Sequence, residues 1–280
     1  MSEIAQMNPT RILAIAGSDS SGGAGIQADI KTASAFGAYA MTAITAVTAQ
    51  DTTGIGAIHP VPPDIVRAQI ARCLADIGAD AIKTGMLGSS EIARAVAATL
   101  AASAKDIPLV VDPVMISTSG TALADAGVVE VLKADLFSRA SLVTPNLPEA
   151  ERLCGFDLRT PDDLIRAGEM LLSLGPQAVL LKGGHGGADT VTDLLFTLDG
   201  SPRAYIAKRI DTNHTHGTGC TLATAIACGL GQGLALADAI QRAHDFVQAA
   251  IRTAPGFGHG NGPINHFINL SRERERDAKT

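Results

Sequence analysis

A mostly parallel β-sheet with helices on both faces and antiparallel strands at one edge is the fold the sequence predicts. Three observations carry it. Five or more strand–helix alternations run down the chain, and parallel strands need such crossover connections. Apolar residues make up 46% of its 280 residues and small residues are abundant, enough to fill a sizeable core between close layers. The alternation ends late in a hairpin signal, Asp199-Gly200, between two strand-like runs at 191–197 and 203–209.

The elements follow in order. Residues 10–16 are apolar and short, a buried strand. A glycine-dense polar turn, 17–25, leads to a helix over 26–36, with Ile26, Ile30, Ala33 and Phe36 at helical spacing. Small and β-branched residues make 39–49 a strand that ends in a loop at 50–54. A helix over 62–77 shows Ile65, Ile70, Cys73 and Leu74 on one face. Strand 80–84, an Ala-rich helix at 89–103, strand 109–112, a helix at 125–138 and strand 142–144 follow. Thr160-Pro161-Asp162-Asp163 supplies a cap, a proline at the first position and acids in the first turn of a helix that stops at Gly175. Strand 178–182 closes on Gly183-Gly184. After the hairpin come a helix beyond Gly217 and another over 235–253. No linker or repeat interrupts this. One domain over 1–280 is expected, with 1–9 and 270–280 as flexible tails.

Composition narrows the function. The formal charge is −6 with no basic run, which argues against nucleic acid. Trp is absent, and 2 Tyr and 7 Phe make no base-stacking platform. Cys73, Cys154, Cys220 and Cys228 form no C-x-x-C pair and read as reduced thiols of a cytoplasmic protein. The N-terminus lacks a signal-peptide pattern, and no apolar run is long enough to span a membrane.

Ligands of parallel sheets bind beyond the carboxyl ends of the strands. Asp19, Gln50, Met86, Asp112, Asn146 and Lys182 are therefore expected on the functional edge. The stretch 214–231 passes from polar and glycine-rich to small and apolar. Gly217 and Gly219 allow tight curvature, and the first N–H groups of a helix attract anions. It is either an anion cradle, with Cys220 at its edge and its thiol pKa lowered, or a helix start whose glycines serve packing. Asn146 and Glu149 suit either a Mg²⁺ shell or an ordinary capping box. Lys182 neutralises a phosphate or snorkels from the sheet end. Asp112 touches a metal shell or caps a turn. Asp29 and Gln50 read the donor and acceptor edge of a heterocycle beside a polarizable Met86, or are solvated. His214, His216, His259 and His266 lack metal-ligand spacing. His185 is structural or approaches phosphates. Neither common nucleotide loop, G-x-G-x-x-G nor G-x-x-x-x-G-K-[ST], is present.

Five blocks, at 14–31, 48–50, 83–86, 144–150 and 216–221, resemble the ribokinase-like superfamily. Within it they are similar to the hydroxymethylpyrimidine/phosphomethylpyrimidine kinases of thiamine biosynthesis. Blocks at 111–115, 181–185 and 258–263 add support, and the resemblance runs from about residue 11 to 268. It implies a ribokinase-like three-layer α/β/α fold, ATP, Mg²⁺, and two successive phosphorylations of 4-amino-5-hydroxymethyl-2-methylpyrimidine. It implies Gln50, Asp29, Gly17 and Met86 at the pyrimidine and the Gly217, Thr218, Gly219 cradle at the phosphoryl group. Cys220 is implied as catalytic base, Lys182 at the ATP phosphates, and Asn146, Glu149 and Asp112 on the metal side. Relatives of this kind are commonly dimers. Pyridoxal or pyridoxine kinases of the same superfamily also carry Cys at the Cys220 position, and a silent ligand-binding regulator on the same fold is a third reading.

Overall fold

The structure is a computed structural model that describes residues 8–117, 120, 123–125, 127–183 and 189–268. Strands β1 (Arg11–Ser18), β2 (Tyr39–Gln50), β3 (Ile55–Pro60), β4 (Ala81–Thr84), β5 (Leu109–Val111), β6 (Leu142–Val143), β7 (Ala178–Leu181), β8 (Thr190–Thr197) and β9 (Arg203–Lys208) form one sheet. Its order is β3-β2-β1-β4-β5-β6-β7-β8-β9. β2, β1, β4, β5, β6 and β7 run parallel; β3 pairs antiparallel with β2, β8 with β7 and β9 with β8.

Alternate residues of the central strands face opposite helical layers. Leu13, Ile82, Val111 and Val143 pack against α2 (Pro63–Asp76), α3 (Ser90–Ser103), α4 (Val128–Val131), α5 (Leu147–Cys154) and α6 (Pro161–Ser173). Ile12, Ala81, Val110 and Leu142 pack against α1 (Gly25–Ala35), α7 (Thr218–Gly231) and α8 (Leu236–Arg252). Both faces of these strands are covered, which is why they read as apolar runs without alternation.

From β1 the chain turns one way through α1 to β2, then returns to place β4 on the other side of β1. The helices change faces there, and in parallel sheets the ligand crevice lies at such a switch, beyond the carboxyl ends of the strands.

Two expectations are corrected. Residues 55–60 form β3, hydrogen-bonded along β2 from Ala46 to Gln50. Its sequence, Ile-Gly-Ala-Ile-His-Pro, carries a glycine and a proline, which suit an edge strand but hide it from a pattern search. The helix expected over 125–138 is α4 followed by a wider π-helical turn at Leu132–Leu136 and a tight turn at Phe137–Arg139. That change of pitch keeps Val131, Leu132, Leu136 and Phe137 all buried. Nearly all of the tails expected at 1–9 and 270–280 lies outside the described residues, as do Gly184 and His185.

Candidate active site

The first wall is the loop between β1 and α1. Asp19, only 2% exposed, gathers it. Its carboxylate accepts from Ser21 N and Oγ, Gly23 N and Ala24 N, at 2.7–3.1 Å. It also takes His216 Nε2 at 2.8 Å. Burial alone would raise the Asp19 carboxyl, and the bonds from His216, Ser21 and Ala24 hold it below the usual carboxylate value. Gly25 has φ +57°, and a Cβ there would strike Gly17 O, so the turn requires glycine.

Gln50 ends β2 beside this loop. Ser20 Oγ donates to Gln50 O at 2.7 Å and accepts from Gln50 N at 2.8 Å. Thr48 Oγ1 lies 3.3 Å from Gln50 Oε1 and donates to Ser18 O at 2.8 Å. Gly17 lies against Met86, whose Sδ would stand 3.0 Å from a Cβ at Gly17. Gln50, Gly17 and Met86 thus share one neighbourhood at the end of β1 and β2.

Asp29 does not join them. Its side chain and that of Lys83 are both fully buried, with Lys83 Nζ donating to Asp29 Oδ1 at 2.9 Å and Oδ2 at 3.1 Å. Thr224 Oγ1 donates to Asp29 Oδ1 at 2.7 Å. Burial alone would lower the Lys83 ammonium; Asp29 more than offsets it, and Lys83 stays charged. The expectation of a pyrimidine-facing carboxylate is corrected: α1 turns Asp29 inward onto a lysine 54 residues away.

The opposite wall is the start of α7. Gly217 sits at φ +85°, where a Cβ would collide with Gly23 O, so the close approach of the two loops at this point requires glycine. Among the described residues no side chain caps this helix. Thr218 N takes Thr215 O at 3.2 Å. A Cβ on Gly219 would lie 3.4 Å from Lys182 Nζ and 3.7 Å from Asp112 Oδ2, so the first turn of α7 faces both groups. Lys182 Nζ donates to Asp112 Oδ1 at 3.0 Å, and Thr144 Oγ1 donates to the same oxygen at 3.1 Å. Burial alone would lower Lys182; Asp112 and Glu149 more than offset this, and it remains a cation.

Cys220 is half-buried. The expected lowering of its pKa is corrected: burial pushes the thiol up to about 11, against the opposing pull of the Lys83 ammonium. Helix-terminus and cation effects are present, and loss of hydration outweighs them.

Asn146 caps α5 and, with Glu149, forms a reciprocal capping box: Asn146 Oδ1 accepts from Glu149 N and Glu149 Oε2 from Asn146 N, both at 2.9 Å. Burial raises the Glu149 carboxyl to about 7, with Lys182 lowering it and Asp112 raising it. Two acids thus share one ammonium. A buried carboxylate short of countercharge fits a divalent cation that takes one or two protein oxygens, water and phosphate. Among the described residues no cluster of three or more His, Cys, Asp or Glu forms a closed metal cage.

Asp193 and His216 escaped the sequence reading as site residues. Asp193 Oδ1 accepts from Gly183 N at 2.8 Å, next to Lys182. A lone Asp within the apolar strand 191–197 was the available signal. His216 meets an acid 197 residues away, a pairing that local spacing does not encode.

The last described segment fastens both walls. His259 N and Gly260 N donate to Thr52 Oγ1, and Asn261 N to Thr52 O. His216 N donates to Gly262 O at 3.1 Å. His266 Nε2 lies 2.9 Å from Thr221 Oγ1 in α7, and burial lowers its pKa to about 4.

The chain is 47% identical over 95% of its length to the thiamine biosynthesis bifunctional protein of Geobacter sulfurreducens, of which it spans 54%. It is 45% identical over 93% of its length to the hydroxymethylpyrimidine/phosphomethylpyrimidine kinase of Streptomyces coelicolor, of which it spans 95%. Among solved structures, it is similar to the Bacillus subtilis pyridoxal kinase in complex with ADP. That match has TM-score 0.86 and 36% identity, covering 94% of this chain and 99% of that one. The phosphomethylpyrimidine kinase of Clostridium difficile matches with TM-score 0.76 and 41% identity, covering 86% and 99%. The family profile described as phosphomethylpyrimidine kinase matches residues 19–265, and on these matches the chain belongs to the phosphomethylpyrimidine kinase family.

Proposed function

We propose that this chain is an ATP-dependent kinase that phosphorylates 4-amino-5-hydroxymethyl-2-methylpyrimidine to its monophosphate and then to the pyrophosphate, in thiamine biosynthesis. The observation that carries the proposal is the uncapped first turn of α7 facing Lys182 and Asp112, with Gln50, Gly17 and Met86 across the crevice. The substrate is that of the hydroxymethylpyrimidine/phosphomethylpyrimidine kinases to which the chain is similar.

Phosphoryl transfer asks mainly for alignment and charge neutralisation. In this reading Lys182 binds the ATP phosphates. Gly219 and Cys220 offer their N–H groups to charge building on the transferring phosphoryl, beside Thr218, whose own N–H is held by Thr215 O. Gln50 grips the heterocycle, and Gly17 leaves room for the ring against Met86. Asn146, Glu149 and Asp112 form the metal side, with Glu149 and Asp112 donating oxygens to Mg²⁺. The ion, when bound, neutralises charge on the phosphates. Cys220 takes the hydroxyl proton in the first step as the thiolate, a minority form at neutral pH for a thiol at about 11. The second acceptor is already an anionic phosphate and needs no such base.

Pyridoxal phosphorylation is the second reading, supported by likeness to pyridoxal kinases, including the Staphylococcus aureus enzyme in complex with AMP-PCP and pyridoxal (TM-score 0.85, 34% identity). Two-copy assembly is carried by the resemblance and cytoplasmic location by the cysteine pattern; among the described residues no helix is long and apolar enough to cross a membrane. Mass spectrometry of products from pyrimidine plus ATP and from pyridoxal plus ATP tests the proposal. Monophosphate followed by pyrophosphate is expected. A preference for pyridoxal, or no ADP release with either, overturns it.

A further inference from the structure

We propose that Thr48 and the Asp19–His216 pair are positioning residues that fix which end of the Gln50 amide accepts and which donates, and so which way round a nitrogen heterocycle lies. This rests on reading Gln50 as a ring contact.

The Asp19 carboxylate is buried and can only accept. His216 Nε2 lies 2.8 Å from its Oδ2, so that nitrogen carries a proton and directs it at Asp19. The same Nε2 lies 3.4 Å from one end of the Gln50 amide. The amide's other end lies 3.3 Å from Thr48 Oγ1. The Thr48 hydroxyl has one hydrogen, and Ser18 O receives it at 2.8 Å. Toward Gln50 the Thr48 oxygen is therefore an acceptor.

Both neighbours make the same demand. His216 keeps its one N–H on Asp19 and has no lone pair at Nε2 for a donor, so the amide oxygen rather than the amide NH₂ belongs beside it; Thr48 presents a lone pair and takes the amide NH₂. With Gln50 Nε2 on the His216 side, as the structure has it, two donors face each other. A half-turn about the last side-chain torsion exchanges the two ends, gives the Thr48 oxygen a donor and removes the donor–donor contact at His216. Asp19 and His216 are 2% and 5% exposed and Thr48 is 5% exposed, so water does not readily substitute for either partner.

A locked amide offers its ligand an ordered pair: an acceptor on the His216 side and a donor on the Thr48 side. A ring with an amino group beside an acceptor nitrogen fits in one orientation only. An oxo ring, which places an acceptor beside an N–H, is mismatched. His216 is also the residue before Gly217, so the group that orients the ring reader is bonded directly to the proposed phosphoryl cradle.

Two measurements test this. In ¹⁵N-labelled protein without ligand, long-range ¹H–¹⁵N correlation should show His216 protonated at Nε2; a neutral Nδ1–H tautomer overturns the proposal. Calorimetry should then compare binding of 4-amino-5-hydroxymethyl-2-methylpyrimidine with that of its 4-oxo analogue, a comparison that needs no turnover. The wild-type chain should favour the amino ring at least about tenfold, since a misplaced donor leaves buried polar groups unpaired. Thr48→Val should collapse that ratio, Thr48→Ser should retain it, and both should bind ATP as the wild type does. An unchanged ratio in Thr48→Val, or equal loss in Thr48→Ser, overturns the proposal. If neither ring binds while His216 is protonated at Nε2, the ring-orienting role falls, and the substrate reading is identified as the failed step.

Discussion

Replacing Lys83 by Met is the sharpest probe of how this site is supported. The substitution keeps the length of the side chain and removes its charge. Asp29 then loses contacts at 2.9 and 3.1 Å and keeps only Thr224 at 2.7 Å, with its side chain still fully buried. Removing one partner of a buried ion pair costs about 3–5 kcal/mol, because the other charge stays uncompensated. In a chain of this size that lowers Tm by on the order of 10 °C. The Asp29 carboxyl can escape by taking a proton, since burial already raises it. Its folded pKa then lies above its unfolded value of about 3.9, so the variant's stability is present below that value and is lost as pH rises. Urea unfolding at pH 5 and pH 8 should show the larger deficit at pH 8. Adding Asp29→Asn removes the unpaired charge and should restore about 2 kcal/mol. A loss below about 1 kcal/mol for Lys83→Met, or no recovery in the double variant, would refute the buried-pair account and return Asp29 to the pocket.

Other outcomes follow from the same geometry. Cys220→Ala should slow the first phosphorylation far more than the second, and the first step should gain rate with pH through neutrality in wild type but not in the variant; equal losses in both steps remove Cys220 as base. Gln50→Ala should raise KM for the pyrimidine about tenfold or more and leave KM for ATP unchanged, as steady-state kinetics would report. Ionisation of Glu149, with a folded pKa near 7 against an ordinary 4.5, weakens the fold as pH rises through that interval. Mg²⁺ should therefore raise Tm more at pH 8 than at pH 5, and Glu149→Gln should abolish the difference. His266, lowered to about 4, stays neutral in the fold, so stability is lost as pH falls from about 6.5 toward 4; His266→Gln should flatten that slope.

Local pattern made most of the fold legible. Fully buried strands such as β4 and β7 announce themselves as apolar runs, and α6 as a capped, acid-started helix whose Thr160–Asp163 box is present in the structure. β3 was hidden because an edge strand is free to carry a glycine, a proline and exposed residues. In the candidate site, placement at the sheet edge was legible: Gln50 ends β2, Asp112 and Lys182 directly follow β5 and β7, and Gly217–Cys220 open α7. Side-chain partnerships across the sequence were not. Asp29 had the right spacing for a pocket contact, and its direction was decided by Lys83. Cys220 sits where a thiol is ordinarily acidified, and burial reverses the sign.

The fastening of residues 259–266 bears on how the protein is made. Asp19, Gln50, Asp112, Lys182 and Cys220 all leave the ribosome before the carbonyl of Gly262 and the imidazole of His266, which bind His216 N and Thr221 Oγ1. Both sheet layers can therefore assemble on the nascent chain before the crevice has its final shape. The ties at Thr52, His216 and Thr221 therefore close last, after every residue of the candidate site has been made.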